Sequence, residues 1–247
     1  MNDKIEQIAQ NIKNAKRLVV FTGAGISKAS GIPTFRGKDG LWKKYSPQEL
    51  STLKAFVDNP KLVWQWYNER RRLIKKAKPN AAHHAIAKLE TIFKDNFTLI
   101  TQNIDSLHKK AGNQRIYELH GNIFEVRCMR CGQVYKDDKI YEERELVPKC
   151  KYCKEGSLRP NIVWFGENLD RDILNNSMKK SATCDCFIAI GTSGVVQPAA
   201  SLPKIAHDNN AFVVEINIEY SGISIFADEV ILQEADSILP DIVERIY

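Results

Sequence analysis

Short apolar runs of strand length recur along this chain, and amphipathic stretches separate most of them. The runs lie at 17–22, 97–101, 161–164, 186–190, 212–216 and 230–232. Helical periodicity is found at 61–77, 82–93, 170–181, 198–208 and 235–246. An opening helix is indicated by Ile5, Ile8 and Ile12. Strands that alternate with helices predict an α/β fold with a doubly wound, mostly parallel, Rossmann-like sheet.

Two stretches break this alternation. Residues 32–80 are rich in aromatic side chains and helical pattern, and residues 125–158 carry two cysteine pairs and many charges. We interpret them as a helical insertion and a zinc-ribbon insertion that together form a small domain. The Rossmann-like domain then comprises 1–31, 81–124 and 159–247. Ligands of open α/β sheets bind at the carboxyl ends of the strands, so the cleft between the two domains is the expected active site.

Composition and charge argue against several classes of protein. Hydrophobic residues make up 43% and charged residues 27% of the 247 positions, as in ordinary globular domains. No apolar run approaches the ~20 residues of a membrane helix, and the opening residues resemble neither a secretory signal nor a transit peptide. We therefore expect a cytoplasmic protein with no membrane partner. A dispersed net charge of +6 does not predict nucleic-acid binding, and the sequence leaves the oligomeric state open.

Four cysteines have the spacing of a metal site. Cys128 and Cys131 form one Cys-x-x-Cys pair, Cys150 and Cys153 form another, and 18 residues separate the two pairs. Each pair can clasp one metal ion from a tight turn. Four thiolates complete a tetrahedral zinc shell and leave no position for substrate, so we predict one structural Zn²⁺.

A glycine-rich turn follows the first strand. Gly23, Ala24 and Gly25 lead into a helical pattern, a setting in which backbone N–H groups bind phosphate. Lys28 occupies the place of the third glycine of the hydride-transfer fingerprint, and the acidic residue that this fingerprint requires is missing. The turn therefore indicates dinucleotide binding without dehydrogenase geometry, although by itself it is also compatible with a simple chain reversal.

Polar residues follow three other strands. They occupy 101–105, 191–193 and 215–217, and together they suit a ligand with several hydroxyl and phosphate groups. His120 lies between a short strand and the cysteine-rich stretch, at the expected domain junction. Histidine titrates near neutral pH, so His120 is the candidate general base.

Taken together, these motifs resemble the sirtuin family over nearly the whole chain. The matching segments are 23–36, 101–105, 118–121, the four cysteines, 159–167 and 191–193. The resemblance implies a catalytic core of the bacterial or archaeal kind, whose partners are acylated lysines in proteins. It consumes NAD as co-substrate and releases nicotinamide and O-acyl-ADP-ribose.

The resemblance also implies roles for individual residues. The acyl oxygen attacks the ribose carbon that carries nicotinamide, and His120 then deprotonates a ribose hydroxyl that attacks the resulting imidate. Asn103 and Asp105 match the residues that hold the nicotinamide and its ribose. The cofactor-binding positions are Gly23, Ala24, Gly25, Ser27, Phe35, Arg36, Gln102, Asn103, Ile104, Asp105, Gly191, Thr192, Ser193, Asn217 and Ala235. Those that pair with the peptide and flank the acyl-lysine are Val163, Trp164 and Phe165.

Two residues of the helical insertion bear on the acyl group. Tyr67 and Arg70 are three positions apart and share a helix face, which by pattern alone is typical of a solvated basic surface. The same Tyr-x-x-Arg spacing resembles the acyl pocket of class III sirtuins, which remove succinyl and malonyl groups. Arginine binds a carboxylate bidentately, and tyrosine adds a hydroxyl donor. We therefore predict that Tyr67 and Arg70 favour negatively charged acyl groups, with acetyl also accepted.

Three other functions compete with this interpretation. A protein mono-ADP-ribosyltransferase would share NAD binding and nicotinamide release but would leave ADP-ribose on its target. A zinc-ribbon module that binds nucleic acid would need basic and aromatic residues near the metal, whereas 137–145 is rich in acidic residues. A dehydrogenase does not fit the spacing of the glycines.

Overall fold

The computed structural model describes residues 2–35, 40–41, 46–142 and 146–246. Its α-helices are α1 (Asn2–Asn14), α2 (Pro47–Leu50), α3 (Leu53–Asp58), α4 (Pro60–Lys76), α5 (Ala81–Phe93), α6 (Leu107–Ala111), α7 (Arg171–Thr183), α8 (Leu202–Asp208) and α9 (Ala235–Glu244). Its strands are β1 (Leu18–Thr22), β2 (Phe97–Thr101), β3 (Ile116–Glu118), β4 (Gly121–Cys128), β5 (Val134–Lys136), β6 (Leu158–Ile162), β7 (Cys186–Ile190), β8 (Phe212–Asn217) and β9 (Glu229–Leu232). None of the helices in these ranges is both long and apolar enough to span a bilayer.

Six strands form a parallel sheet in the order β3-β2-β1-β7-β8-β9. All five residues of β1, β2 and β7 are buried, because helices cover both faces of the sheet. The predicted α/β class with a doubly wound parallel sheet is confirmed. The strand order reverses between β1 and β7, the kind of switch point at which such sheets bind ligands.

Alternate side chains of each strand enter two separate cores, one on each face of the sheet. Val20 packs with α1, α5 and α9 on one face, and the opening helix contributes Ile8 and Ile12 as the sequence predicts. Val19 and Phe21 point to the other face of the sheet. Helix α8 contributes buried side chains to the core there, and partly buried side chains of α7 pack against that core. The two-residue period of a strand therefore distributes β1 between both layers.

A second, antiparallel sheet has the strand order β5-β4-β6. The apolar run 161–164 contributes to this sheet and not to the large one, and its strand runs from Leu158 to Ile162. The predicted strand at 161–164 therefore had the wrong bounds and was placed in the wrong sheet. An apolar run does not reveal which strand it pairs with. The proposed domain boundaries stay predictions, and β4 extends across the one at 125.

Helix α4 packs on this small sheet and joins the helical stretch to the cysteine-rich one. Trp64 is fully buried, and its Nε1 donates to the carbonyl of Leu158 at 2.9 Å. Arg71 is also buried, and its guanidinium donates to the carbonyls of Ile123 at 2.8 Å and Lys139 at 2.9 Å. A buried arginine is stable when backbone carbonyls take its hydrogen bonds. Trp64 and Arg71 therefore hold α4 and the small sheet together as one layer.

The four cysteines converge at the far end of β4 and β6. The Sγ atoms of Cys128 and Cys153 are 3.6 Å apart, those of Cys131 and Cys150 are 3.8 Å apart, and all four lie within 4.8 Å of one another. Tetrahedral zinc with Zn–S bonds of about 2.3 Å places sulfurs about 3.8 Å apart. The cluster therefore fits one Zn²⁺, as the spacing predicts.

The surrounding backbone is shaped for thiolates. The N–H groups of Arg130 and Cys131 donate to Cys128 Sγ, both at 3.4 Å. Gly156 passes so close that a Cβ there would lie 2.3 Å from the same sulfur. Such donors orient metal-bound sulfur and stabilise its charge. None of the four cysteines lines the large cleft described below, so the ion would be structural.

Removal of the metal should destabilise the protein. We expect Cys153→Ser to lose stoichiometric zinc and to lower Tm by roughly 6–12 °C, since a loss of about 3 kcal/mol has that effect in a chain of this size. Zinc content by elemental mass spectrometry and thermal unfolding with and without chelator measure both effects. Cys184→Ser is the control, because this buried thiol only donates to the carbonyl of Ser181. A Cys153→Ser protein that keeps one zinc per chain and the parental Tm would contradict the assignment.

Candidate active site

The carboxyl ends of β1, β2, β7 and β8 open into a cleft of about 480 Å³. The small sheet and α4 supply the opposite wall through residues such as Trp164 and Tyr67. The cleft therefore lies at the strand ends, where the polar clusters of the sequence indicated a ligand site. Its size and mixed polar and apolar lining suit a nucleotide and a side chain bound together.

Two glycine turns meet backbone to backbone at one end of the cleft. The N–H of Gly25 donates to the carbonyl of Gly191 at 2.8 Å, and the N–H of Gly23 donates to the carbonyl of Ile190 at 3.0 Å. A Cβ on Gly25 would lie 2.6 Å from the Cα of Gly191, and Gly191 itself has a φ of +59°. Side chains are therefore excluded at these positions, and all three glycines line the cleft.

Asn103 lies just past the end of β2 and donates three hydrogen bonds within the protein. Its Nδ2 donates to the carbonyl of Gly23 at 3.0 Å and to Ser27 Oγ at 3.2 Å. Its backbone N–H donates to Thr101 Oγ1 at 3.1 Å. These bonds tie the turn after β2 to the loop after β1. The amide oxygen of Asn103 makes none of them, so it is the group that can accept a bond from a ligand.

Asp105 lies behind the cleft wall and not on it. The carboxylate accepts a hydrogen bond from Ser27 Oγ at 2.7 Å and one from the N–H of Leu107 at 2.8 Å. Burial raises the pKa of Asp105, although these two hydrogen bonds oppose the effect. The next residue, Ser106, has a left-handed φ of 63°, which turns the chain sharply here. In this arrangement Asp105 positions the loop residue Ser27.

His120 has one ring nitrogen committed to the backbone. Nδ1 lies 3.1 Å from the carbonyl oxygen of Gln102, which can only accept, so Nδ1 carries the proton. Nε2 is then the basic nitrogen of a side chain that lines the cleft. Burial lowers the pKa of His120 below the usual 6.5, outweighing the opposite effect of the bond to Gln102. The imidazole is therefore neutral at pH 7 and can accept a proton.

The segment after β6 forms the wall beside His120. The N–H of Val163 donates to the carbonyl of His120 at 3.0 Å, and the N–H of Phe165 donates to the carbonyl of Ser51 at 2.9 Å. Between them, Trp164 Nε1 donates to the hydroxyl of Tyr67 at 2.8 Å. The Tyr67 hydroxyl therefore accepts one bond from the indole, and it also lies 3.5 Å from Ser51 Oγ, where either hydroxyl can donate to the other.

Arg70 is buried, so the pattern-based expectation of a solvated basic face is wrong. Its guanidinium carbon lies 4.7 Å from the centre of the Phe35 ring and 5.1 Å from that of Trp66, and its Nε has no hydrogen-bond partner among the described residues. Burial lowers the pKa of Arg70 to about 10, so it stays charged at neutral pH. An unsatisfied buried N–H of this kind costs about 1–3 kcal/mol.

Most of the side chains assigned from the sequence line the cleft. They are Gly23, Ala24, Gly25, Phe35, Tyr67, Gln102, Asn103, Ile104, His120, Val163, Trp164, Phe165, Gly191, Thr192, Ser193, Asn217 and Ala235. Three others, Ser27, Arg70 and Asp105, line a second cavity of about 10 Å³ behind it. Arg36 lies outside the described residues.

Sequence reasoning missed several residues of the cleft. Glu219 and Tyr220 follow β8, while Gln233 and Glu234 follow β9, and all four contribute to the lining. Their position directly after apolar runs is the signal that could have identified them. Glu215 was assigned to a strand-end cluster but is buried, where it accepts hydrogen bonds from the hydroxyls of two serines in the loop after β8.

Comparison with known proteins matches this arrangement of fold and site. A model described as the Sir2 family matches residues 23–198. An NAD-dependent protein deacylase of Aquifex aeolicus (strain VF5) is 52% identical over 215 residues, which cover 85% of this chain and 87% of the relative. An NAD-dependent protein deacylase of Pyrococcus abyssi (strain GE5 / Orsay) is 46% identical over 247 residues, covering 98% of each.

Solved structures agree with these matches. A complex of a Sir2 homologue with NAD has a TM-score of 0.91 at 41% identity, covering 98% of this chain and 93% of the other. A Sir2 variant solved with a deacetylated p53 peptide and 3′-O-acetyl ADP-ribose has a TM-score of 0.86 at 35% identity, with 98% and 97% covered. This chain belongs to the Sir2 family of NAD-dependent protein deacylases.

Proposed function

We propose that this NAD-dependent protein deacylase uses His120 as its general base and prefers succinyl- and malonyl-lysine to acetyl-lysine. The observation that carries the first part is the neutral imidazole of His120, whose basic Nε2 belongs to the wall of the cleft. The second part rests on the buried cation of Arg70 and the hydroxyl of Tyr67. The comparisons give no support to the rival activity, transfer of ADP-ribose to protein.

The reaction needs a base beside the ribose of NAD, and it consumes one water molecule when free lysine is released. NAD supplies the electrophilic ribose carbon, and nicotinamide is its leaving group. His120 Nε2 takes a proton from a ribose hydroxyl, and its Nδ1–H keeps the bond to Gln102 while the ring becomes charged. Burial disfavours that charge, so the proton is readily passed on.

Asn103 and Asp105 have different parts in this proposal. Asn103 lines the cleft and presents its amide oxygen to the nicotinamide end of NAD. Asp105 acts from behind the wall through Ser27, which in turn contacts Asn103. The neighbouring turns around Gly23 and Gly191 would hold the phosphates, since both turns line the cleft and their glycines allow a ligand to approach the backbone closely.

The acyl-lysine would enter beside Val163, Trp164 and Phe165. These residues lie along the cleft wall, and Val163 is bonded to the backbone of His120 itself. The structural relative solved with a deacetylated p53 peptide and 3′-O-acetyl ADP-ribose supports a site that takes a peptide and ADP-ribose together. The acyl chain would then extend towards Tyr67.

Tyr67 and Arg70 are the proposed receptors of an acyl carboxylate. The Tyr67 hydroxyl could donate to a carboxylate in place of Ser51 Oγ, which lies 3.5 Å away, and Arg70 has an unsatisfied Nε–H. A single layer of residues separates the cavity of Arg70 from the cleft, because both are lined by Ala24, Phe35, Asn103 and Ile104. A carboxylate that displaced Phe35 from the guanidinium would satisfy the arginine. Acetyl groups offer no such partner.

Replacement of His120 tests the base. We expect His120→Ala to lower kcat for deacylation about 10²–10⁴-fold, the usual contribution of a general base. Mass spectrometry of acyl-peptides incubated with NAD measures product formation. The control is His84→Ala, since His84 is exposed on α5. Parental turnover by a folded, zinc-loaded His120→Ala protein would rule out this mechanism.

The pH profile tests the protonation state. His120 must be neutral to act, so kcat/KM should fall as the pH drops through its pKa. Because burial holds this pKa below the usual 6.5, the acid limb should lie below pH 6.5. Initial rates from pH 5 to 8 at fixed ionic strength measure it. If the acid limb lies above pH 6.5 and persists when His120 is replaced, the group that titrates is not His120.

Replacement of Arg70 tests the acyl preference. Arg70→Met should lower kcat/KM for succinyl-peptide roughly ten- to a hundredfold more than for acetyl-peptide, because a charge-assisted bond contributes ~1.5–3 kcal/mol. Competition between the two peptides in one reaction measures the ratio directly. Arg72→Met on the exposed face of the same helix is the matched control. Equal losses on both peptides would refute the carboxylate role of Arg70.

A further inference from the structure

Arg159, which is buried, and Glu167, whose side chain is 26% exposed and lines the cleft, form an ion pair that closes the segment between them. Both guanidinium Nη atoms donate to the carboxylate, one to Oε1 and the other to Oε2 at 2.8 Å. Arg159 is only 5% exposed. Burial would raise the pKa of Glu167, but the hydrogen bonds from Arg159 and from the N–H of Trp164 lower it overall. The carboxylate is therefore charged and fully engaged.

The same two side chains bind the backbone that they enclose. Arg159 Nη2 also donates to the carbonyl of Ile162 at 2.8 Å. Glu167 Oε2 accepts the N–H of Trp164 at 2.9 Å, and the N–H of Glu167 donates back to the carbonyl of Trp164 at 3.0 Å. These bonds hold the backbone between Ile162 and Glu167, and Val163 in this segment is bonded to the carbonyl of His120.

The pair also fixes the indole of Trp164. The guanidinium carbon of Arg159 lies 3.5 Å from the centre of the Trp164 ring, so the cation stacks on its face. The opposite end of the indole donates from Nε1 to the hydroxyl of Tyr67. An unbroken chain of contacts thus runs from Glu167 through Arg159 and Trp164 to Tyr67.

We propose that Arg159 and Glu167 are positioning residues for the acyl-peptide, acting through Trp164 on the orientation of the Tyr67 hydroxyl. This inference rests on the proposed roles of Trp164 and Tyr67 in substrate binding. The pair touches neither the glycine turns nor the strand-end clusters in any described contact. Its loss should therefore weaken the peptide side of the reaction and spare the nucleotide side.

Glu167→Gln is the first test, because it keeps the shape of the side chain and removes its charge. We expect KM for acyl-peptide to rise about tenfold, the size of one lost charge-assisted bond. The Kd of ADP-ribose from isothermal titration calorimetry should stay within about twofold of the parental value. Glu125→Gln is the control, since Glu125 only accepts a bond from Asn161 on the same small sheet. An equal weakening of peptide and ADP-ribose would show a general structural role and overturn the proposal.

Trp164→Phe is the second test, since it keeps a ring under the guanidinium and removes the donor to Tyr67. If the ion pair acts through the indole, the double variant should have the same peptide KM as Trp164→Phe alone. If the increases in peptide KM of the two single variants multiply in the double variant, Glu167 acts by another route and the proposal is overturned. A parental peptide KM in Trp164→Phe would instead refute the substrate role of Trp164 itself. The two failures are therefore distinguishable.

Discussion

The close contact of two glycine turns is the constraint on which the active-site geometry depends. Gly25 and Gly191 meet with no space for a Cβ on either, so the loops after β1 and β7 lie against each other directly over the strand order reversal. The chain can then continue from Gly25 to Ser27, whose hydroxyl serves both Asn103 and Asp105. The positions of Asn103 and Asp105 thus depend on backbone packing between the two loops.

His120 joins the two halves of the molecule. Its ring is bonded to the carbonyl after β2 of the large sheet, and its own carbonyl accepts the N–H of Val163 beside the small sheet. A displacement of either sheet would therefore move the imidazole relative to one wall of the cleft. Catalytic groups that must meet two substrates benefit from such rigid attachment on both sides.

Much of this arrangement could be predicted from the sequence, and what could not has physical reasons. The parallel sheet and the metal site follow from local patterns, namely apolar periodicity and the spacing of the four cysteines. The run 161–164 was misplaced because pairing partners are not encoded in a single strand. The burial of Arg70 was hidden because a row of three arginines looks the same whether or not another segment covers it. The pairing of Arg159 with Glu167 needs the folded turn between them. The catalytic roles assigned to individual residues stay predictions.

The metal cluster and His120 lie at opposite ends of the same two strands. Cys128 pairs with Leu158 in the register of β4 and β6, and Gly121, next to His120, pairs with Ile162. An ion that clamps one end of a two-stranded ribbon restrains how far the other end can splay.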